Sequence, residues 1–320
     1  MLYRNLPSLE TRISAMCLGT MTFGGQTDEA ESLRIVDCAL DRGVNFLDTA
    51  NIYTGGESER ILGKALQGRR DRVVLASKTG GPVKGLGPSL GAQRIQDSVE
   101  DSLRRLHTDY LDILYLHFPD HKTPPAEYVT ACTELIRSGK IRHYGISNFS
   151  AWECCEMTCL ARELGAIGPC VSENVYSLIN RGVEDELIPY LSSHNMGLTA
   201  FNPLAGGLLT GKHSRDHYTE NTRFALEKGY AKRYWNDRNF DAIDLLKRIA
   251  AEEGMTMVEL SFQWLLSRPG LTSVICGVSK LSQFQENATY FGDTHLRPEA
   301  AQRCEEAWHM IAGQYFHYHR

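Results

Sequence analysis

The chain is expected to fold as an α/β protein, a (β/α)8 TIM barrel with long loops at its C-terminal face, and three observations carry that expectation. Eight short runs rich in Val, Ile and Leu alternate with helical patterns almost to the C-terminus, which is the pattern of a parallel sheet buried on both faces. The 320 residues exceed a small module and suit one barrel, typically about 250 residues plus insertions. The loop after the first run, Gly19-Thr20-Met21-Thr22-Phe23-Gly24-Gly25, lacks the GxGxxG fingerprint of the competing doubly wound sheet. A single barrel domain is therefore expected over residues 1–320.

The strand-like runs are Ile13–Gly19, Val44–Asp48, Val73–Lys78, Leu111–His117, Ile141–Ser147, Cys170–Glu173, Gly197–Phe201 and Thr272–Gly277. Between them lie helical stretches such as Asp28–Asp41, Ser58–Gln67, Ala92–Leu106, Pro125–Ser138, Ala151–Leu164, Val183–Ser193 and Asp241–Glu253. In the first of these, Ala30, Leu33, Ile35, Val36, Ala39 and Leu40 make a helical stripe and Asp28 sits at the start, as a helix N-terminus favours. Two segments break the rhythm. Gly80–Gly91 is rich in Gly and Pro, and Gly206–Asp241 is long, aromatic and basic; both follow strand ends, where long loops are commonly binding elements. The aromatic end Trp308…Tyr315-Phe316-His317-Tyr318-His319-Arg320 is expected to pack over the fold, either as a cap on the site or as an ordinary docked tail.

With 42% apolar residues the chain can bury a large core, and a net charge of -5 gives no basic footprint for nucleic acid. No apolar run reaches the ~18 residues of a membrane span, and no secretory start is present. Nine scattered cysteines suit reduced thiols in a cytoplasmic protein. Cys154, Cys155 and Cys159 share one helix without a partnering His or CxxC pair, so they are expected to be buried thiols, and no metal site is expected.

Four polar residues stand where these strands run out. Asp48, Lys78 and His117 each close a strand, and Tyr53 follows Asp48 in the next loop; strand ends are where a barrel builds its site. Together they suit reversible carbonyl reduction, because hydride addition leaves negative charge on oxygen that must be protonated or strongly hydrogen-bonded. Tyr53 is the expected acid. A Lys78 ammonium within ~4 Å would favour phenolate; about 4 kcal/mol at an effective dielectric of ~20 amounts to about 3 pKa units, enough to bring a tyrosine near its working range. Asp48 would hold Lys78 protonated, and His117 would donate to the carbonyl oxygen. Each residue alone has an ordinary structural explanation; their joint occurrence carries the inference.

The segment Asp48-Thr-Ala-Asn-Ile-Tyr53-Thr-Gly-Gly-Glu-Ser58-Glu59-Arg-Ile-Leu-Gly63 resembles the aldo-keto reductase signature, with Lys78 and His117 completing its tetrad. The resemblance spans essentially the whole chain. Leu116–Pro124, Ala200–Lys212, Arg233-Tyr234-Trp235 and the terminal Arg320 make it most like the aflatoxin-aldehyde reductase branch. It implies NADPH-dependent reduction of aldehydes or ketones, with the dinucleotide extended across the barrel mouth. Ser147 and Asn148 match the carboxamide-binding position. Phe201 matches the aromatic stacked on the nicotinamide, and Asn202-Pro203-Leu204-Ala205-Gly206-Gly207-Leu208-Leu209-Thr210-Gly211 matches the loop over the pyrophosphate. Gly277, Ser279, Lys280, Gln283 and Asn287 match the segment around adenine and the 2′-phosphate, where Ser279 and Lys280 at a helix start would favour NADP over NAD. Glu173 stands where the family usually places glutamine; an ionised glutamate only accepts hydrogen bonds, whereas an amide also donates. Tyr230, Arg233 and Arg320 match positions engaging polar or carboxylate-bearing substrates. A small carbonyl compound is the implied partner, and the protein is expected to be a monomer or homodimer. Two alternatives stay open: a regulatory NADPH-binding subunit with little turnover, and a Schiff-base lyase using Lys78 as nucleophile.

Overall fold

The computed structural model describes residues 1–82, 87–217, 222–226 and 228–312, apart from the side chains of Arg223, Leu226, Lys228 and Tyr230. A short antiparallel pair opens the chain, β1 (Tyr3–Arg4) against β2 (Ile13–Ser14). Eight parallel strands follow: β3 (Met16–Gly19), β4 (Phe46–Asp48), β5 (Val74–Thr79), β6 (Leu111–Leu116), β7 (Ile141–Ser147), β8 (Val171–Val175), β9 (Gly197–Phe201) and β10 (Leu271–Gly277). They close into a barrel in the order β10-β3-β4-β5-β6-β7-β8-β9. The strands are short and buried because helices cover their outer faces while side chains fill the interior.

The expected strand Ile13–Gly19 is a correction: it is two elements. Ile13–Ser14 pairs with Tyr3–Arg4, and only Met16–Gly19 enters the barrel. The split comes from side-chain bonding. Asn45 Oδ1 accepts from the Ser14 backbone N–H at 2.7 Å, and the Ser14 hydroxyl turns back to Met16 O at 2.6 Å. Inside the barrel, Leu6 and Ile13 from this first segment, both fully buried, join Cys17, Phe46, Val74, Ala76, Ile113, Tyr115 and Val171 in one apolar cluster.

Helices Glu29–Asp41, Glu57–Ala65, Ala92–Leu106, Pro125–Arg137, Ala151–Glu163 and Leu187–Ser193 fill the strand-to-strand connections. Asp28 caps the first by accepting from Glu31 N at 2.8 Å, and Ser150 and Glu153 form a capping box on the fifth, which satisfies backbone N–H groups with no intrahelical partner. The helix expected from Asp241 begins at Asp237, where Asn236 caps it through Asn239 N. Helices Arg223–Leu226, Lys228–Tyr234, Met257–Ser267, Leu281–Thr289 and Pro298–Ala312 complete the described set.

Of the three clustered cysteines only Cys154 is buried; Cys155 and Cys159 are exposed, correcting the expectation for both, because they point off the solvent side of their helix. All nine cysteines are free. Near the C-terminus, Ala307 is buried and the Trp308 ring lies 5.7 Å from the Arg181 guanidinium, so the last helix docks on the barrel. Among the described residues no helix is long and apolar enough to cross a membrane.

Candidate active site at the C-terminal mouth

Strand register brings the polar residues together. Asp48 lies opposite Ala76, and Lys78, two residues further along β5, points to the same interior side. Lys78 is fully buried. Its Nζ donates to both carboxylate oxygens of Asp48 (2.5 Å to Oδ1) and to Thr49 O at 3.1 Å, and lies 3.4 Å from Glu173 Oε1. The same Nζ is 5.3 Å from the centre of the Tyr53 ring. Tyr53 opens a single helical turn, Tyr53–Gly56, whose next residues take left-handed conformations: Thr54 at φ 48°, Gly55 at 68° and Gly56 at 90°. That sharp turn brings the phenol back over the strand ends. His117, just past β6, still pairs with β5 through its N–H to Thr79 O at 2.8 Å. Its ring sits edge-on to Tyr53 at 6.0 Å and stacks on Phe118 at 4.5 Å.

The electrostatics follow from burial. It disfavours the Lys78 ammonium, but Asp48, Glu173 and Tyr53 outweigh it and raise the lysine's pKa. Burial likewise pushes the Tyr53 phenol up; Lys78 pulls the other way and does not prevail. The expected lowering of the Tyr53 pKa is thus reversed in sign, because desolvating a phenolate costs more than one lysine shared with two carboxylates returns. Burial, then Lys78, depress His117 to about 3, so its imidazole is neutral. Burial and then Asp48 raise Glu173, with Lys78 opposing, to about 8. Burial also raises Asp48 against the pull of Lys78. Lys78 meets Asp48 through two short bonds and Glu173 through one longer contact, so Asp48 keeps the charge and Glu173 takes the proton.

The mouth opens into a cavity of about 1010 Å³ whose wall includes Asp48, Tyr53, His117, Ser147, Asn148, Glu173, Phe201, Asn202, Pro203, Leu204, Gly206, Gly207, Gly277, Ser279, Gln283, Asn287 and Arg233. Lys78 stands behind this wall rather than in it. Ala205, Leu208 and Leu209 turn into the apolar core. Thr210 bonds Gly207 O at 2.7 Å, and a Cβ on Gly211 would meet Met257 and Lys247, so neither reaches the cavity. Lys280 sits at the N-cap of Leu281–Thr289 outside the wall, and the Leu281 N–H bonds Glu31 Oε1 at 2.7 Å. The Tyr230 side chain and Arg320 lie outside the described residues. Sequence reasoning missed Thr22, Phe118, Lys212 and Tyr234, which also line the cavity. Lys212 follows the glycine-rich loop directly, a signal that could have found it; Tyr234 is reached by Asn202 Nδ2 at 2.7 Å, a contact no spacing announces.

A dinucleotide fits these residues on several counts. Asn148 Nδ2 donates to His117 O at 3.0 Å and Ser147 Oγ at 3.1 Å, leaving Oδ1 as that side chain's acceptor. Glu173 Oε2 and His117 Nδ1 are buried without partners. Gly206 and Gly207 take φ of 70° and 102°, which suits a backbone approached closely by phosphate oxygens. The rest of the signature is structural. Ser58 ties Thr20 and Thr49 together, while fully buried Glu59 accepts from Ser77 Oγ at 2.5 Å and Arg105 Nε at 2.6 Å. A Cβ on Gly63 would fall 2.7 Å from Arg105 O, so glycine there lets two helices touch.

The aldo/keto reductase family profile matches residues 15–309, and the chain belongs to that family, whose members are oxidoreductases that use a nicotinamide cofactor. It is 38% identical over 299 residues to a probable voltage-gated potassium channel subunit beta of Arabidopsis thaliana, covering 90% of each chain. It is 35% identical over 324 residues to human aflatoxin B1 aldehyde reductase member 2, covering 96% of this chain and 89% of that one. An uncharacterized oxidoreductase of Bacillus subtilis is 34% identical over 297 residues, 89% of each.

Proposed function

We propose that this chain is an NADPH-dependent reductase of aldehydes or ketones in which Tyr53 is the general acid. The observation that carries the reading is the meeting of Tyr53, His117 and the Lys78–Asp48 pair at one mouth of the barrel. When bound, the cofactor supplies the hydride. Neutral His117 donates a hydrogen bond to the substrate oxygen and fixes the carbonyl. Tyr53 remains protonated through the working pH range, and gives its proton as negative charge develops on that oxygen, since an alkoxide is far more basic than a phenolate. Lys78 stabilises the phenolate left behind, and Asp48 holds Lys78 in place. Ser147 and Asn148 orient the carboxamide, Phe201 supports the ring, and the Asn202–Gly207 backbone receives the phosphates. Ser279 and Lys280 favour the 2′-phosphate, while Glu31 competes for the same helix start. Arg233 is a candidate anchor for a carboxylate on the substrate.

A second reading, a regulatory NADPH-binding subunit, is favoured by the likeness to a channel subunit beta. The Schiff-base reading loses ground because a lysine held as ammonium has no lone pair to attack with. The test is NADPH oxidation screened over small aldehydes, semialdehydes, 3-keto sugars and dicarbonyls, with Tyr53→Phe alongside. We expect turnover reduced at least about 100-fold in the variant. Retained turnover in Tyr53→Phe would overturn the mechanism; NADPH binding with no turnover on any carbonyl would favour the regulatory reading.

A further inference from the structure

Lys78 is one cation facing two carboxylates. It is bonded through both oxygens of Asp48, and Glu173 Oε1 reaches it at 3.4 Å from the other side. Glu173 is 3% exposed and lines the cavity; its carboxyl also comes within side-chain hydrogen-bond reach of Asp48, while Oε2 accepts no hydrogen bond from the protein. Were both carboxylates ionised, this buried cluster would carry an excess negative charge, and like charges in one site do not ionise together. Every other strand facing Glu173 leaves this balance untouched. The directly bonded neighbours β7 and β9 set Ser147 and Thr199 opposite it. Cys17 on β3 and Tyr115 on β6 are held neutral by burial, as is Tyr53 beyond β4.

We propose that Glu173 is a neutral carboxylic acid whose O–H, at the unpartnered Oε2, serves the nicotinamide carboxamide in place of the family's glutamine amide, so that dinucleotide affinity is switched by a single proton in the protein. The proposal rests on the nicotinamide reading given above. Protonated, Glu173 both donates and accepts, like the amide it replaces. Ionised, it can only accept, and it sets a second anion beside Asp48. The switching pH is near 8, where the carboxyl is held by burial and Asp48. Affinity is therefore full below that pH and falls above it.

The experiment has two parts. First, infrared spectra of the cofactor-free protein are compared between native and Glu173→Gln: a protonated-carboxyl C=O band is expected at pH 7 in the native protein only, vanishing as pH rises through about 8. Second, NADPH dissociation constants are measured by fluorescence at pH 7 and pH 9, away from the 2′-phosphate titration. With a switching pH of about 8, native affinity should weaken about tenfold between these pH values, because each further pH unit of ionisation is tenfold. Glu173→Gln should change less than about twofold. No infrared band at pH 7 overturns the proposal outright. A band together with equal pH dependence in both proteins shows a proton that does not serve the cofactor, and also overturns it. A band without dinucleotide binding at any pH overturns the nicotinamide reading and the switch with it.

Discussion

Replacing Lys78 with Met removes the cation that faces both carboxylates, Asp48 at 2% and Glu173 at 3% exposure. Lys78 loses its bonds to Asp48 and Thr49 O, and the methionine fills much of the same volume, so the dominant cost is an uncompensated buried charge rather than a cavity. Removing one partner of such a pair costs about 3–5 kcal/mol. The variant can limit that cost by protonating Asp48, whose carboxyl burial already pushes up from 3.8. A folded state that keeps a proton the unfolded chain has released loses stability as pH rises. Lys78→Met should therefore be closest to native near pH 4 and lose about 1.4 kcal/mol per pH unit above it until Asp48 ionises. Adding Asp48→Asn removes the stranded charge, so the double variant should be more stable than the sum of the singles predicts by about 2–3 kcal/mol. Urea unfolding followed by circular dichroism at pH 4.5, 7 and 8.5 measures all four corners of the cycle. Singles that add within about 0.5 kcal/mol, or a Lys78→Met cost that is flat with pH, would refute the account of the pocket as one charge-matched unit.

Other expectations are simpler. Lys280→Ala should weaken NADPH about tenfold and leave NADH unchanged, whereas Glu31→Gln, which takes charge from the Leu281 N–H, should strengthen NADPH; paired binding titrations decide both. Gly63→Ala forces a methyl within 2.7 Å of Arg105 O and 2.8 Å of Leu106 O, so thermal unfolding should show a loss of about 1–3 kcal/mol. With Ellman's reagent, exposed Cys155 and Cys159 should react first and the buried cysteines only on unfolding; protection of both would contradict their placement.

The barrel strands were legible because burial on both faces writes itself as continuous Val, Ile and Leu. Helix Met257–Ser267 was not, since Leu260, Phe262, Trp264, Leu265 and Leu266 are buried around most of its circumference, which erases the one-sided stripe that marks a helix. The opening antiparallel pair was hidden too: two-residue strands separated by eight intervening positions leave no periodicity. At the site, the identities at the strand ends were readable, and so was the Lys78–Asp48 pairing. Its energetics were not. The direction of the Tyr53 shift depends on how much water reaches the phenol, and the proton on Glu173 on a 3.4 Å contact to a lysine already engaged elsewhere. Both are properties of three-dimensional enclosure, for which residue spacing holds no record.

The opening segment has a consequence for traffic. Leu6 and Ile13 fill the barrel at the end away from the cavity, and a Cβ on Gly197 would strike Leu6 at 2.2 Å, so that end is stoppered. Among the described residues, Asp48 and Glu173 are therefore approached from the mouth where they line the cavity. Of two ligands sharing that mouth, the deeper is expected to arrive first and depart last, an order readable as the pattern of product inhibition.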